Sequence, residues 1–257
     1  MGTVGKAISL LELFTINEPE LGLSDLARRS GFDKATTRRL LVSLGGHGMV
    51  EQDATSRLYR LGAGVTRLAR IREARFPFAQ TAIPVLRELG AATSETVHAS
   101  EFSALGLATV HVEFPARANR VNVDVGVVLP LHSTASGIAF MAFARDEFVR
   151  SYLAGPLPTF TPHTVTDPAA LTKAIAAARA RGHSVGDQGF EDGVYSVAAA
   201  ILGPDGHAVG AVAVAAPKAR TTEALSAERG RAAIAAARQI STRLYGESIE
   251  PQRKQAS

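Results

Sequence analysis

Two short helices around a tight turn are predicted for residues 23–41, and this feature restricts the fold more than any other part of the chain. Ser24 is the expected N-cap of the first helix and Asp33 that of the second, because both side chains can accept a hydrogen bond from a first-turn N–H group. Gly31 supplies the turn, and the small Ala27 lets the helices cross closely. The pattern predicts a helix-turn-helix.

The positive charge of the chain is concentrated around this motif. Residues 21–75 contain 11 Lys and Arg against 5 Asp and Glu, a net of +6, whereas residues 76–257 contain 16 of each sign. A basic surface attracts phosphate before any base is read. The alternative is an ordinary helical hairpin with a solvated basic face. The confinement of the excess charge to one end favours DNA binding.

A short hairpin is expected directly after the second helix, which ends in the glycine-rich stretch 45–48. The strand-like segments 49–52 and 57–61 form its two arms, so the motif is predicted to be a winged helix-turn-helix with double-stranded operator DNA as its partner. Arginines on such a wing reach the minor groove or only the phosphates. The predicted DNA-contacting residues are Ser24, Lys34, Thr36, Thr37, Arg38, Arg39, Arg57 and Arg60.

The first helix, predicted over residues 4–14, has apolar residues on two faces. Val4 and Ile8 belong to a stripe of helical period that is expected to pack on the motif. Leu10 and Leu13 then remain on a second apolar face. A surplus apolar face predicts a partner subunit.

Length predicts two domains joined by a helix. The basic end leaves about 180 residues, enough for one α/β domain with a substantial core. The expected boundaries are a winged helix-turn-helix domain at 1–62, a linker helix at 63–76, a second domain at 77–248 and a flexible tail at 249–257. The alternative for the basic helix is that it is the first helix of the second domain.

The second domain is predicted to contain one mixed sheet flanked by helices. A Pro-Asp-Gly turn at 204–206 predicts that the last two strands form a hairpin. The last helix is expected beside the first helix of the domain. Strands are expected at 95–100, 105–113, 121–128, 195–201 and 209–215, and helices at 79–91, 137–150, 168–181 and 225–245.

Composition argues against several classes of protein. The chain has no cysteine, and its seven histidines are scattered without a pair at metal-ligand spacing, so neither a metal nor another cofactor is expected. No apolar run approaches the length of a membrane span, and no signal peptide precedes the first helix. A cytoplasmic protein without membrane partners is therefore expected.

Three stretches carry a resemblance to a known family: residues 34–41, residues 129–137, and residues 193–199 with the hairpin that follows them. On these the chain resembles the IclR family of bacterial transcription regulators over nearly its whole length. The resemblance implies an α+β protein with an N-terminal winged domain, a linker helix and a GAF-like α/β effector-binding domain. It also implies dimers or tetramers that bind a palindromic operator and respond to a small molecule. A repressor of a catabolic operon is expected.

The segment 133–137 is expected to bind the effector. It runs into a helix, so its free backbone N–H groups point outward and can receive a carboxylate. The alternative is that Thr134 or Ser136 merely caps the helix. His132 is expected to be a packed residue.

The chain departs from the family's pattern on the opposite wall of the implied pocket, at residues 186–189, Ser196, Ala213 and Ala215. These residues carry fewer hydrogen-bonding groups and less volume, which favours a bulky or aromatic organic acid over a two- or three-carbon oxoacid. Phe190 and Tyr195 are candidates for an aromatic wall. The predicted effector-binding residues are Ser133, Thr134, Ala135, Ser136, Gly137, Asp187, Phe190, Tyr195, Ser196, Ala213 and Ala215.

Two alternatives come from other classes of protein. The first is a hydrolase-like enzyme with Ser136 as nucleophile and His132 as base, but no acidic third member is evident and the glycine typical of a nucleophile elbow is missing. The second is a DNA-binding protein without a ligand. No catalytic residue is therefore predicted, and a neutral domain of about 180 residues exceeds what the second alternative needs.

Overall fold

The computed structural model describes residues 1–103 and 106–246, which divide into two compact units with the boundary between Phe76 and Pro77. The expected tail at 249–257 lies outside the described residues, as does the predicted start of a strand at Leu105. Among the described residues, no helix is long and apolar enough to cross a membrane.

The first unit contains four helices and a three-stranded antiparallel sheet. In the sheet, Tyr59 lies opposite Leu21 on one side and Gln52 on the other. The helices are α1 (Thr3–Leu11), α2 (Leu23–Ser30), α3 (Lys34–Gly46) and α4 (Ala63–Arg75), and the strands are β1 (Glu20–Leu21), β2 (Val50–Gln52) and β3 (Tyr59–Leu61). The predicted winged helix-turn-helix is confirmed.

The turn between α2 and α3 forms as the residue pattern predicts. Gly31 adopts a left-handed conformation with φ of 72°, and Asp33 caps α3 by accepting a hydrogen bond of 2.8 Å from the N–H of Thr36. The predicted N-cap of α2 was wrong. Gly22 occupies the N-cap position, and Ser24 lies exposed within the first turn without capping it.

Both predicted apolar faces of α1 contribute to the core, since Ala7 and Leu11 of the expected stripe also pack against it. Leu10 is fully buried in the core of the unit and Leu13 packs against that core, whereas Val4 and Ile8 are exposed. The helix also ends at Leu11, three residues before the predicted end. The unpartnered apolar face of α1 is therefore the one that carries Val4 and Ile8.

The second unit is built on a six-stranded sheet in which every pair is antiparallel, in the order β6-β5-β4-β9-β8-β7. The strands are β4 (Thr96–Ser103), β5 (Gly106–Glu113), β6 (Val128–Leu129), β7 (Ser184–Asp187), β8 (Val194–Leu202) and β9 (Ala208–Pro217). The expectation of a mixed sheet was wrong. The first and last long strands meet in the middle as an antiparallel pair, because the chain crosses from one edge of the sheet to the other between β6 and β7.

Five helices pack on this sheet, namely α5 (Phe78–Thr93), α6 (Ala135–Phe143), α7 (Asp146–Leu153), α8 (Pro168–Arg181) and α9 (Glu223–Tyr245). Successive strand residues face opposite sides. Val212 and Val214 therefore join a core with α5 and α9, while Ala213 lies with Ala135 and Ala139 of α6. The predicted contact of the last helix with the first helix of this unit is confirmed.

Two predicted elements of the second unit differ from the structure, and one strand was not predicted. The expected strand 121–128 is irregular except for Val128, the first residue of β6. The expected helix 137–150 is broken, because Ala144 takes an extended conformation between α6 and α7. Strand β7 at the sheet edge was not predicted.

A buried carboxylate ties the start of β4 to the segment that leads into α9. Glu95 is almost completely buried and accepts hydrogen bonds from Arg220, at 3.1 and 2.7 Å, and from Arg229, at 2.8 Å. Burial lowers the pKa of Arg229, while the Glu95 carboxylate acts in the opposite direction. A buried charge that loses its partner is strongly destabilising.

We expect Glu95→Gln to lower the free energy of unfolding by about 3 kcal/mol, because it leaves a buried guanidinium without its counter-charge. Arg87→Gln is the control, since it breaks the exposed ion pair with Glu113 and is expected to cost less than about 1 kcal/mol. Urea unfolding followed by circular dichroism measures both variants. Equal stability losses in the two would contradict the structural role of Glu95.

Candidate functional site

The exposed face of α3 carries three cations that have no ion-pair partner among the described residues: Lys34, Arg38 and Arg39. In contrast, two arginines of α2 are engaged. Arg28 pairs with Asp25 of the same helix at 3.0 Å, and Arg29 pairs with Glu18 at 2.6 Å. The available charge of the motif therefore lies on its second helix.

The two threonines of α3 hold the start of the helix. The Thr36 hydroxyl donates to the Asp33 carboxylate at 2.7 Å, and the Thr37 hydroxyl donates to the Asp33 carbonyl at 2.9 Å. Thr37 is completely buried, so its prediction as a DNA-contacting residue was wrong. Its neighbour Thr36 is partly exposed.

The two wing arginines differ in their surroundings. Arg57 is exposed at the end of the turn with φ of 62°. Arg60 is exposed within β3, where it lies 3.8 Å from a carboxylate oxygen of Glu20 and 3.4 Å from one of Glu51. Two acidic neighbours offset its charge, so Arg57 is the wing residue better suited to meet phosphate.

A pocket of about 230 Å³ opens in the second unit between the first turn of α6 and the sheet face formed by β4, β8 and β9. Residues 121–129 and 186–194 contribute its other walls. Eight predicted effector-binding residues line it: Ser133, Thr134, Ala135, Ser136, Phe190, Ser196, Ala213 and Ala215.

Three other predicted residues are not among those that line the pocket. A side chain at Gly137 would lie 2.2 Å from the Leu131 carbonyl oxygen, so this glycine permits close packing of α6 rather than ligand contact. Asp187 is exposed and forms an ion pair with Lys218. The hydroxyl of Tyr195 lies 2.9 Å from that of Ser226, and its ring packs against the core shared with α5 and α9.

Thr134 caps α6, as the simpler of the two interpretations of this segment predicted. Its hydroxyl oxygen accepts from the N–H of Gly137 at 3.0 Å, and the hydroxyl donates to the Pro130 carbonyl at 2.7 Å. The N–H groups of the first helical turn that follow the cap have no partner within the helix. These groups and the helix dipole favour an anion at this end of the pocket.

His98, on β4, lies beside the same helical turn. Its Nε2 is 3.3 Å from the Ser136 hydroxyl, and both side chains are buried. Burial lowers the pKa of His98 to about 4, because the charged imidazolium loses its solvation, so the ring is neutral at pH 7. The Nδ1 of His98 and the hydroxyl of Ser133 are also buried, and neither has a hydrogen-bond partner among the described residues.

The packing of His132 contradicts the hydrolase-like arrangement. Its Nε2 donates to the Pro158 carbonyl at 2.9 Å, and its Nδ1 lies 2.9 Å from the Tyr152 hydroxyl. Both nitrogens are therefore used, and Ser136 contacts His98 instead. The prediction of a packed His132 is confirmed.

The wall that carries Phe190 is held by a neighbouring segment. The hydroxyls of Thr161 and Thr164 donate to the carbonyls of Gln188 and Gly189, at 2.7 and 2.6 Å. The Phe190 ring also packs edge-on against Phe160, with 5.1 Å between ring centroids. The Phe190 wall is therefore supported from outside the pocket.

The charged residues in the described pocket lining are acidic. Its charged members are Asp124 and Glu191, both exposed, and no lysine or arginine lines the pocket. The described residues also contain no group of three or more His, Cys, Asp or Glu side chains that could hold a metal ion.

Two family models together match nearly the whole length of the two units. The model for the C-terminal part of bacterial IclR transcriptional regulators matches residues 74–242, and that for the IclR helix-turn-helix domain matches residues 3–54. The chain belongs to the IclR family. It is thus a member of a family of DNA-binding transcriptional regulators, and the expected resemblance is confirmed.

Similar proteins extend over most of this IclR-family chain. The glycerol operon regulatory protein of Streptomyces griseus is 34% identical over 216 residues, which are 84% of each chain. A crystal structure assigned to the IclR regulators, from Silicibacter sp. TM1040, has a TM-score of 0.83 at 42% identity and covers 97% of this chain and 98% of that one. An IclR homologue from Microbacterium hydrocarbonoxydans, crystallised with 4-hydroxybenzoate, has the same fold, with a TM-score of 0.78 at 23% identity over 95% and 99% of the two chains.

Sequence reasoning missed the contribution of residues far from the segment 133–137. His98 lines the pocket, as do the four residues of the segment 121–124 and Glu191. One signal was present for His98, because a polar residue between Val97 and Ala99 of a buried strand faces the opposite side of the sheet. Nothing in the pattern of the segment 121–124 distinguished a pocket wall from a strand.

Proposed function

We propose that this IclR-family regulator represses a catabolic operon and that a bulky or aromatic organic acid, bound in the pocket of the second unit, lowers its affinity for the operator. The observation that carries the proposal is the first turn of α6, whose N–H groups and positive dipole end meet a pocket with otherwise largely apolar walls. In this proposal residues 1–62 bind DNA, 63–76 form the linker helix and 77–248 bind the effector.

The recognition surface in this proposal is the exposed face of α3, with Lys34, Arg38 and Arg39 available for base edges and phosphates. Ser24 and Arg57 are exposed, and we propose that they contact the sugar-phosphate backbone of the DNA. Arginine on a recognition helix reads guanine through two hydrogen bonds, and each such contact discriminates by about 1–3 kcal/mol.

Exposed apolar residues support a homodimer. Val4 and Ile8 lie on α1, and Leu68 and Ile71 lie on α4, all with large exposed side chains. A second copy of the chain that covers these four side chains would remove them from water. A two-fold dimer then requires two half-sites roughly 34–36 Å apart, or a multiple of that spacing.

The walls of the pocket support the proposed effector class. Ala213 and Ala215 contribute only methyl groups to the sheet side, and Phe190 adds an aromatic ring. An apolar wall of this kind binds a hydrocarbon body better than a small polar oxoacid, whose polar groups would stay unpaired. The 4-hydroxybenzoate bound by the similarly folded Microbacterium homologue is consistent with this class.

We expect Arg39→Ala to weaken operator binding about tenfold, because it removes a free guanidinium from the recognition surface. Arg28→Ala changes the net charge equally but removes an arginine that is paired with Asp25, so it is expected to change affinity less than threefold. Fluorescence anisotropy on the intergenic DNA upstream of the gene, near 150 mM salt with scrambled competitor, measures both. Normal binding by Arg39→Ala would refute the placement of the recognition surface.

In the same assay we expect benzoate-type acids to release the protein from the operator, and glyoxylate and pyruvate to have no effect. The reason is that only the larger acids fill the apolar part of the pocket. Thermal stabilisation of the purified protein by each acid provides an independent measure of binding. A response to glyoxylate or pyruvate alone would refute the effector class, and operator binding that no acid alters would favour a DNA-binding protein without a ligand.

A further inference from the structure

One corner of the pocket brings together more polar groups than α6 needs for its own capping. The cap itself is complete, because Thr134 satisfies the N–H of Gly137 and donates to the Pro130 carbonyl. Ser133, immediately before the cap, and His98, beside Ser136, add two further polar side chains to the pocket lining. Neither side chain takes part in the cap.

Both added side chains leave a buried polar atom without a partner. Ser133 is 6% exposed and His98 5% exposed, and the described residues provide no hydrogen-bond partner for the Ser133 hydroxyl or for the His98 Nδ1. A buried polar group left unsatisfied costs about 1–3 kcal/mol, so native proteins rarely keep one without a reason. Two such groups in one pocket indicate that a ligand completes their hydrogen bonds.

We propose that His98 and Ser133 are specificity-determining residues that bind the headgroup of a singly charged carboxylate at the first turn of α6. The proposal rests on the proposed effector site. In this proposal the Ser136 hydroxyl donates to Nε2 of the neutral His98, which places the single ring proton on Nδ1, where it is donated to the carboxylate. The Ser133 hydroxyl and the N–H groups of the first turn are the other donors.

The charge around the pocket limits the ligand to one negative charge. No lysine or arginine lines the pocket, and its charged lining residues, Asp124 and Glu191, are acidic. One carboxylate can be stabilised by the dipole and by neutral donors at α6. A second carboxylate would be desolvated without a counter-ion and would be repelled by the acidic residues.

The test compares three probes by isothermal titration calorimetry on the full chain: 4-hydroxybenzoate, its neutral methyl ester, and the dianion terephthalate. For the natural chain we expect 4-hydroxybenzoate to bind at least tenfold more tightly than either of the others. His98→Leu and Ser133→Ala are expected to weaken its binding about tenfold and fivefold. Both variants should also reduce the ratio of the ester dissociation constant to the acid dissociation constant. A merely structural role of the two residues would leave this ratio unchanged.

His183→Leu is the matched control, because His183 also has a buried Nδ1 without a partner among the described residues but does not line the pocket. Its affinities are expected to equal those of the natural chain. Unchanged affinity and acid preference in His98→Leu and Ser133→Ala, or equal binding of terephthalate, would overturn this inference alone. If His98→Leu does not fold, the affinities of Ser133→Ala for the three probes test the inference on their own. Failure of the natural chain to bind 4-hydroxybenzoate would overturn the proposed effector class together with this inference.

Discussion

The close packing of α6 on the sheet is the constraint on which the effector pocket depends. Ala135 and Ala139 of the helix lie against Ala198 and Ala213 of the sheet, and side chains no larger than methyl groups allow this approach. Ser184 strengthens it by donating to the Ala135 carbonyl at 2.6 Å. The first turn of α6 is thereby held at the sheet face, where its N–H groups form one end of the pocket.

The charged residues of the two units are placed differently, because a phosphate-binding surface and an effector pocket make opposite demands on charge. In the first unit, Arg38 and Arg39 are exposed and unpaired among the described residues, as a surface for phosphate demands. In the second, the Glu95 carboxylate is paired with arginines inside the fold, and Glu191 is exposed at the pocket. An effector can change operator affinity only through a difference in its own affinity for two arrangements of the protein. The coupling must therefore be measurable from either site.

Local signals predicted part of this structure well. Helix α8 was predicted at its observed bounds, because Asp167 caps it, Pro168 occupies its first position and Gly182 ends it with φ of 80°. The same kind of signal predicted the turn at Gly31 and the hairpin between β8 and β9. Each of these signals is local, because it depends on residues that lie close together in the sequence.

The remaining features depend on contacts between distant segments. The central pairing of β4 with β9 joins residues about 115 positions apart, as between His98 and Ala213, so no local pattern indicates that the sheet is fully antiparallel. The alternating valines of 121–127 resemble a strand, but three of them, Val121, Val123 and Val127, line a pocket instead. His98 was missed for the same reason, since only its packing beside Ser136 distinguishes it from a core histidine.

The measurement that tests the account most directly is the affinity for 4-hydroxybenzoate, determined by calorimetry with and without saturating operator DNA. If occupation of the pocket weakens operator binding, bound operator must weaken binding of the acid by the same factor, since coupling between two sites is reciprocal. The account predicts an acid dissociation constant about five- to 150-fold higher in the presence of operator, the usual range of such coupling. The same dissociation constant in both conditions would contradict it.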